Sequence, residues 1–333
     1  MSFSALLYEY GLFLAKAITI VLVIVVVVFA MGMAKKGRER DMRWKVTSLN
    51  EQFARQRELL LDEWQDKKAR KMLLKARRKA AKASREEELP RLFVMDFDGD
   101  IAASAVESLR EQISAILQVA GEEDEVLLRL ESSGGLVHAY GLAASQLARL
   151  RDRQVRLVIA VDKVAASGGY MMACLADKLI AAPFAVIGSV GVVGAVPNLH
   201  EFLKKHAISY EQHTAGKYKR TLTVLGENTE EGREQFRHEL AITHELFKAH
   251  IRAARPKLDV EKIATGETWY GTQAVANGLI DAVGTSDDYL LAHRDSHHIL
   301  LLEEEIQESW LDKLQHRFFG SVRAHSPFKT YIQ

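Results

Sequence analysis

From residue 91 onward, short apolar runs alternate with longer amphipathic ones, and this limits the folds open to the chain. "LFVMDF" (92–97), "EVLLRLE" (125–131), "VRLVIAV" (155–161) and "DKLIAAP" (177–183) have the length and composition of strands. "SAVESLREQISAILQVA" (104–120) and "HAYGLAASQLARLRDR" (138–153) carry apolar residues at helical spacing. Strands joined through helices run parallel, because the crossover returns the chain to the same edge. The expectation is an α/β fold: a mainly parallel sheet with flanking helices. Residues 179–196 carry no charge and could be taken for a membrane span. Pro183, Gly188, Gly191 and Gly194 break that run, so it reads as buried strands and turns.

Two junctions between strand and helix are glycine-rich: "ESSGG" (131–135) and "VAASGGY" (164–170). In parallel sheets ligands gather at such strand ends. Ser167 would stand at a helix N-terminus, where backbone N–H groups can hold negative charge. Ala165 and Ala166 leave room beside it. Gly168 and Gly169 allow close backbone approach. A serine nucleophile needs both an anion-binding site and a base. Each turn alone also reads as an ordinary cap.

The base is not legible from composition. Twelve histidines are present, but none follows Ser167 in the apolar run. His138, His200, His206, His213, His238, His244 and His250 lie in helix-like, charged or loop stretches and read as surface or capping residues. They show no metal-ligand spacing. A lysine made neutral by its surroundings can serve instead. "TAGKYKRTLTV" (214–224) offers Lys217, Lys219 and Arg220; strand alternation would put the two lysines on one face and Tyr218 on the other. The single cysteine, Cys174, excludes an intrachain disulfide and reads as a small core residue.

The N-terminal third differs. Residues 11–33 hold a single charge, Lys16, and are long enough to span a bilayer. Lys35, Lys36, Arg38, Arg40, Arg43 and Lys45 follow, with no Lys or Arg before the span, which by the positive-inside rule puts the bulk of the chain in the cytoplasm. Residues 34–90 carry 18 Lys/Arg against 10 Asp/Glu and helical spacing from Val46 to Trp64, suggesting a basic helical linker, solvated or lying on anionic lipid, with a nucleic-acid arm as a further reading. The expected organisation is a membrane anchor over 1–34, a linker over 35–90 and one domain over 91–333. With 45 basic and 44 acidic side chains, no nucleic-acid partner is expected for the chain as a whole.

"ESSGG", "VAASGGYMMA", "IGSVGVVG", "GKYKR" and "GETWYGTQAVANGLIDAVG", in that order, resemble the signal peptide peptidase family of serine proteases. The resemblance covers most of the chain, and the apolar segment and basic linker resemble a single-copy branch of that family. It implies a crotonase-like or Clp-protease-like fold and a Ser–Lys dyad, with no metal or cofactor. Carried over by position, Ser167 is the nucleophile, Lys219 the general base and Ser189 the residue orienting the lysine. Gly135 and Gly168 supply the oxyanion donors. The resemblance further implies a homo-oligomer in the bacterial inner membrane, crossing it once. Its peptide substrates would be apolar or unfolded, such as signal-peptide remnants. Family analogy puts the catalytic domain on the outer face, against the charge rule. A catalytically silent membrane scaffold and a crotonase-like acyl-CoA enzyme are the alternatives.

Overall fold

The computed structural model describes residues 43–64, 72 and 89–305, together with 10–16, 18–20 and 22–23 near the N-terminus. Trp44–Glu305 form one compact unit. Among the described residues no helix is long and apolar enough to cross a membrane. Most of the apolar run 11–33, and the basic stretch 65–88 apart from Met72, lie outside the described residues.

The chain opens with β1 (Arg43–Ser48) and α1 (Leu49–Trp64). Then come β2 (Arg91–Gly99), α2 (Val106–Val119), β3 (Glu125–Ser132), α3 (Val137–Asp152) and β4 (Arg156–Val161). β5 (Val164–Ala166), α4 (Gly168–Ala173), β6 (Lys178–Ala181) and β7 (Val186–Gly188) follow. α5 (His200–Lys205), α6 (Glu230–Ala254) and α7 (Val260–Ile263) lead to β8 (Thr268–Tyr270) and α8 (Gly271–Ala276). β9 (Ala282–Val283), α9 (Ser286–His293) and β10 (His298–Glu305) complete the described order.

The main sheet runs β1-β10-β2-β3-β4-β6-β9. The pairs from β10 to β9 are all parallel, as the strand–helix alternation predicts. The central strands are buried on both faces, so they read as continuous apolar runs rather than alternating ones. One face packs Phe93, Met95, Val126, Leu128 and Ile159 against α2, α3 and α4. On α2 the buried apolar positions are Val106, Leu109, Ile113 and Ile116, the three-and-four spacing of one helix face. Truncating Leu128 or Ile113 to alanine costs about 2–5 kcal/mol, since neither site is open to solvent. The opposite face carries a smaller cluster with Leu49 of α1 and Leu290 of α9.

The N-terminal edge differs from expectation. Helical spacing from Val46 predicts helix, yet residues 43–48 form a strand beside β10 and the helix begins at Leu49. Leu49 is buried and Phe53 packs beside it. The segment expected to be wholly helical linker therefore contributes an edge strand and a core residue. Edge pairing supplies backbone partners that local periodicity does not encode.

The sheet forks at the C-terminal end of β3. Its first residues pair with β4, but Ser132 pairs with Ala165 of β5. β5 pairs in turn with β7, in parallel, and β7 takes β8 antiparallel. This short branch carries the candidate site.

Candidate active site

The register of the branch brings two serines together. Ala166 pairs with Gly188, so the next residues, Ser167 and Ser189, leave adjacent strand ends side by side. The Ser167 N–H donates to Gly188 O at 2.8 Å, and the Ser189 N–H donates to Glu267 O at 2.7 Å. Both serines have positive φ, +52° and +51°. Ser167 combines this with ψ −115° at the N-cap of α4. Side-chain-bearing residues rarely occupy such backbone, and strain of this kind concentrates at functional sites. Its cost is about 1–3 kcal/mol per residue.

The glycine turns are locked by contact. A Cβ on Gly134 would lie 2.7 Å from both Gly168 N and Ser167 Cβ, so the two turns press on each other. A Cβ on Gly135 would meet Ile101 O at 2.1 Å, and one on Gly168 would meet the Tyr140 ring at 2.4 Å. Only glycine fits at these positions. The N–H groups of Gly135 and Gly168 have no hydrogen-bond partner among the described residues. Both glycines line a cavity of about 620 Å³ together with Ser167, Ser189 and Met171. That volume suits a peptide side chain and its flanking backbone.

Tyr140 packs against the Gly168 turn. Its ring is buried; its hydroxyl donates to Asp100 O at 2.8 Å and meets Ser132 Oγ at 2.5 Å. Burial raises the phenol's pKa, against the opposing effect of the Ser132 hydrogen bond. The hydroxyl therefore keeps its proton and its bond to Asp100. Ser132 Oγ in turn accepts from the Gly134 N–H at 3.0 Å. The 100–104 loop, tied by Ser104 Oγ to Asp100 at 2.9 Å, presents Ile101 O to the Leu136 N–H at 2.9 Å. One network thus fixes both turns.

The "GETWYG" stretch holds the other wall. A Cβ on Gly188 would lie 2.7 Å from the Trp269 ring, and one on Gly271 would lie 2.0 Å from Ala182 O. Trp269 faces Ile187 across the antiparallel β7–β8 pair. Its packing sets the strand end from which Ser189 emerges.

Lys219 is not in this cavity. It is exposed and lines a separate depression of about 820 Å³ with Tyr210, Gln212 and Arg220. Alternation suggested a strand here, but 214–220 are turns and irregular backbone. Gly216 has φ +99°, and the Lys219 N–H donates to Gly216 O at 3.2 Å. The two lysines are in different settings. Lys217 Nζ lies 2.6 Å from a Glu231 carboxylate oxygen and 5.0 Å from the Tyr218 ring centroid. The Glu231 hydrogen bond foremost, and its charge, push the Lys217 ammonium well above the usual lysine pKa. Lys217 is held protonated, the wrong state for a general base.

Sequence reasoning missed the α6 wall. Thr243, His244 and Phe247 line the Ser167 cavity. Their spacing marks one helix face, but nothing local says what that face meets. His244, read as a surface or capping residue, is half-buried there.

Residues 5–147 match the N-terminal family of peptidase family S49, and residues 149–300 match peptidase family S49 itself. A probable protease SohB of Buchnera aphidicola subsp. Schizaphis graminum is 48% identical over 304 residues, 89% of each chain. That of Buchnera aphidicola subsp. Acyrthosiphon pisum is 54% identical over 243 residues, 73% of this chain and 71% of the relative. That of Haemophilus influenzae is 57% identical over 222 residues, 67% and 63% respectively. The mainly parallel sheet with its helices fits the Clp-protease-like architecture of such peptidases. The forked sheet, the abutting glycine turns and these matches agree: the chain belongs to the SohB branch of peptidase family S49.

Proposed function

We propose that the protein is a membrane-anchored serine endopeptidase with a Ser167–Lys219 dyad. The observation that carries this reading is the strained Ser167 at the N-terminus of α4, beside the unpartnered N–H groups of Gly135 and Gly168. In the first step a neutral Lys219 Nζ takes the proton from Ser167 Oγ, which attacks the peptide carbonyl carbon. The Gly135 and Gly168 N–H groups donate to the resulting oxyanion. Lys219 then gives its proton to the leaving amine as the C–N bond breaks. Water, deprotonated by Lys219, opens the acyl-enzyme and returns Ser167. Ser189 accepts from or donates to the amine and orients it.

Lys219 and Ser167 line different depressions of one chain, so the dyad forms when assembly or closure of the 206–229 segment brings the amine in. A homo-oligomer suits this. Ile208, Tyr210 and Tyr218 of that segment are exposed, as are Phe202 on α5 and Ile242 and Leu246 on α6. Exposed apolar groups favour a protein contact.

The proposed organisation is an anchor over 1–34, a largely basic linker up to residue 90 and the peptidase domain over 91–333, with β1 and α1 docked on its sheet. The apolar run 11–33 supports single-pass anchoring in a bacterial inner membrane. An enzyme anchored in this way encounters apolar peptides and signal-peptide remnants. A reporter fused after Gln333 and assayed on both sides of the membrane decides the face: the basic flank expects the cytoplasm, the family likeness the outer side. A serine-directed acylating probe tests the chemistry. Labelling of the wild-type chain that is lost in Ser167→Ala is the expected result. An inert Ser167 in the assembled protein would leave a silent scaffold.

A further inference from the structure

Strand direction decides at which end of the sheet the chain enters the domain. Thr47 Oγ1 donates to a Glu303 carboxylate oxygen at 3.2 Å, and Asn50 Oδ1 accepts from the Ile299 N–H at 2.8 Å. Rising numbers on β1 meet falling numbers on β10, so β1 runs against its neighbour and begins beside the end of β10. Leu301 pairs with Val94 in parallel, and the same register puts Glu305 level with Asp98. The start of β1 thus stands two strand spacings, about 10 Å, from the end of β2 and the loop that follows it. That is the C-terminal end of the parallel strands, where Ser167 also emerges.

Ile101 in this loop is 72% exposed. Its carbonyl accepts from the Leu136 N–H, and Leu136 and Val137 are exposed beside it. Val137 shares the Ser167 cavity with Val193, which is 91% exposed. Single exposed apolar residues are ordinary, but a connected set marks a contact. Negative charge beside Ile101 is limited: Asp100 is bonded by Ser104, and Glu131 pairs with Lys163 at 2.7 Å.

The chain outside this domain identifies what the set meets. Residues 34–42, between the apolar run and β1, reach at most about 30 Å. The six basic residues between 35 and 45 suit lipid head groups. Beyond β10, Trp310, Phe318 and Phe319 stand among Lys313 and Arg317, the aromatic and basic mix of a lipid–water boundary.

We infer that Ile101, Leu136 and Val193 dock on the lipid surface, so that the Ser167 cavity opens at the bilayer. This rests on reading 11–33 as a membrane anchor, and the test separates the two.

Single thiols are placed in the full-length chain by Ile101→Cys, Arg153→Cys or Val23→Cys and labelled with an environment-sensitive fluorophore. Cys174 is buried, which pushes its thiol up to about 12 and keeps it unlabelled. Arg153 lies between α3 and β4, at the opposite end of the sheet; the eight residues of β3 separate the two ends by about 25 Å. Each protein is reconstituted in vesicles of phosphatidylethanolamine and phosphatidylglycerol that contain nitroxide-labelled lipid. The label at 23 should be quenched, and the label at 101 should be quenched at least about threefold more than the label at 153. Quenching at 23 with equal values at 101 and 153 overturns the docking and leaves the anchor. A label at 101 that is shielded from lipid but responds to the number of copies per vesicle is covered by a second copy, which also overturns the docking. No quenching at 23 overturns both readings.

Discussion

Two parts of the molecule carry the proposed dyad, and they are built differently. The turns around Gly134, Gly135 and Gly168 are packed so closely that one added methyl group collides with backbone or ring. The 214–220 stretch around Lys219 is exposed, and a Cβ on its Gly216 meets nothing within 4 Å. The proposed nucleophile and oxyanion donors lie in these packed turns. The proposed base sits on an exposed segment that lines a different depression. An enzyme arranged this way keeps its attacking group ready and its activation conditional.

The sharpest way to break the comparison is to remove each half of the dyad. Ser167→Ala and Lys219→Ala should each lower turnover of an unfolded peptide by at least about 1,000-fold with the melting temperature nearly unchanged. Lys217→Ala should stay within about 2-fold of wild type, because its exposed partner Glu231 holds it charged. Wild-type rates in Lys219→Ala beside a dead Lys217→Ala would reverse the assignment of the base. Steady-state kinetics on the three purified variants, with thermal melts alongside, measure it.

The next effect is on stability. Gly135→Ala drives a methyl into Ile101 O, a backbone atom that moves only with its loop. It should cost about 2–3 kcal/mol and lower the melting temperature by roughly 5–10 °C. Activity should fall further than stability alone explains, since the Gly135 N–H would shift with the turn. Tyr140→Phe is milder. It removes the donor to Asp100 O and the contact with Ser132 Oγ, so it should cost about 1–2 kcal/mol by chemical denaturation. A Tyr140→Phe protein as stable as wild type would show that the turn at Gly168 is held by packing alone.

The same contrast explains what could be read from residues 91–333 in one dimension. The parallel sheet was legible because β2, β3, β4 and β6 are apolar runs buried on both faces, and α2 and α3 keep helical spacing between them. The glycine turns were legible as turns, since 131–135 and 164–169 crowd small residues between strand and helix. Their mutual contact was not. It depends on the register of β5 with β7, two three-residue strands too short to carry a pattern. β1 was hidden for a related reason: "RWKVTS" gains its strand partners only at the sheet edge. Around Lys219, alternation suggested a strand where Gly216 turns the chain and no partner strand is present among the described residues. His244 was overlooked because helical period identifies a face without identifying its neighbour.

Gly216→Ala makes the smallest and most discriminating change. At φ +99° an alanine is strained by about 1–2 kcal/mol, but open space surrounds the new methyl. Within a loosely held segment that strain relaxes locally, so the melting temperature should fall by less than about 3 °C, against roughly 5–10 °C for Gly135→Ala. Turnover should respond more than stability does. The turn at Gly216 sets the direction of Lys219 through the 3.2 Å bond from its N–H, and a tilted lysine meets Ser167 less often. A melting temperature lowered as far as in Gly135→Ala would mean that the base-bearing segment is as firmly packed as the nucleophile turn. The contrast between a finished half and a conditional half of the site would then fail.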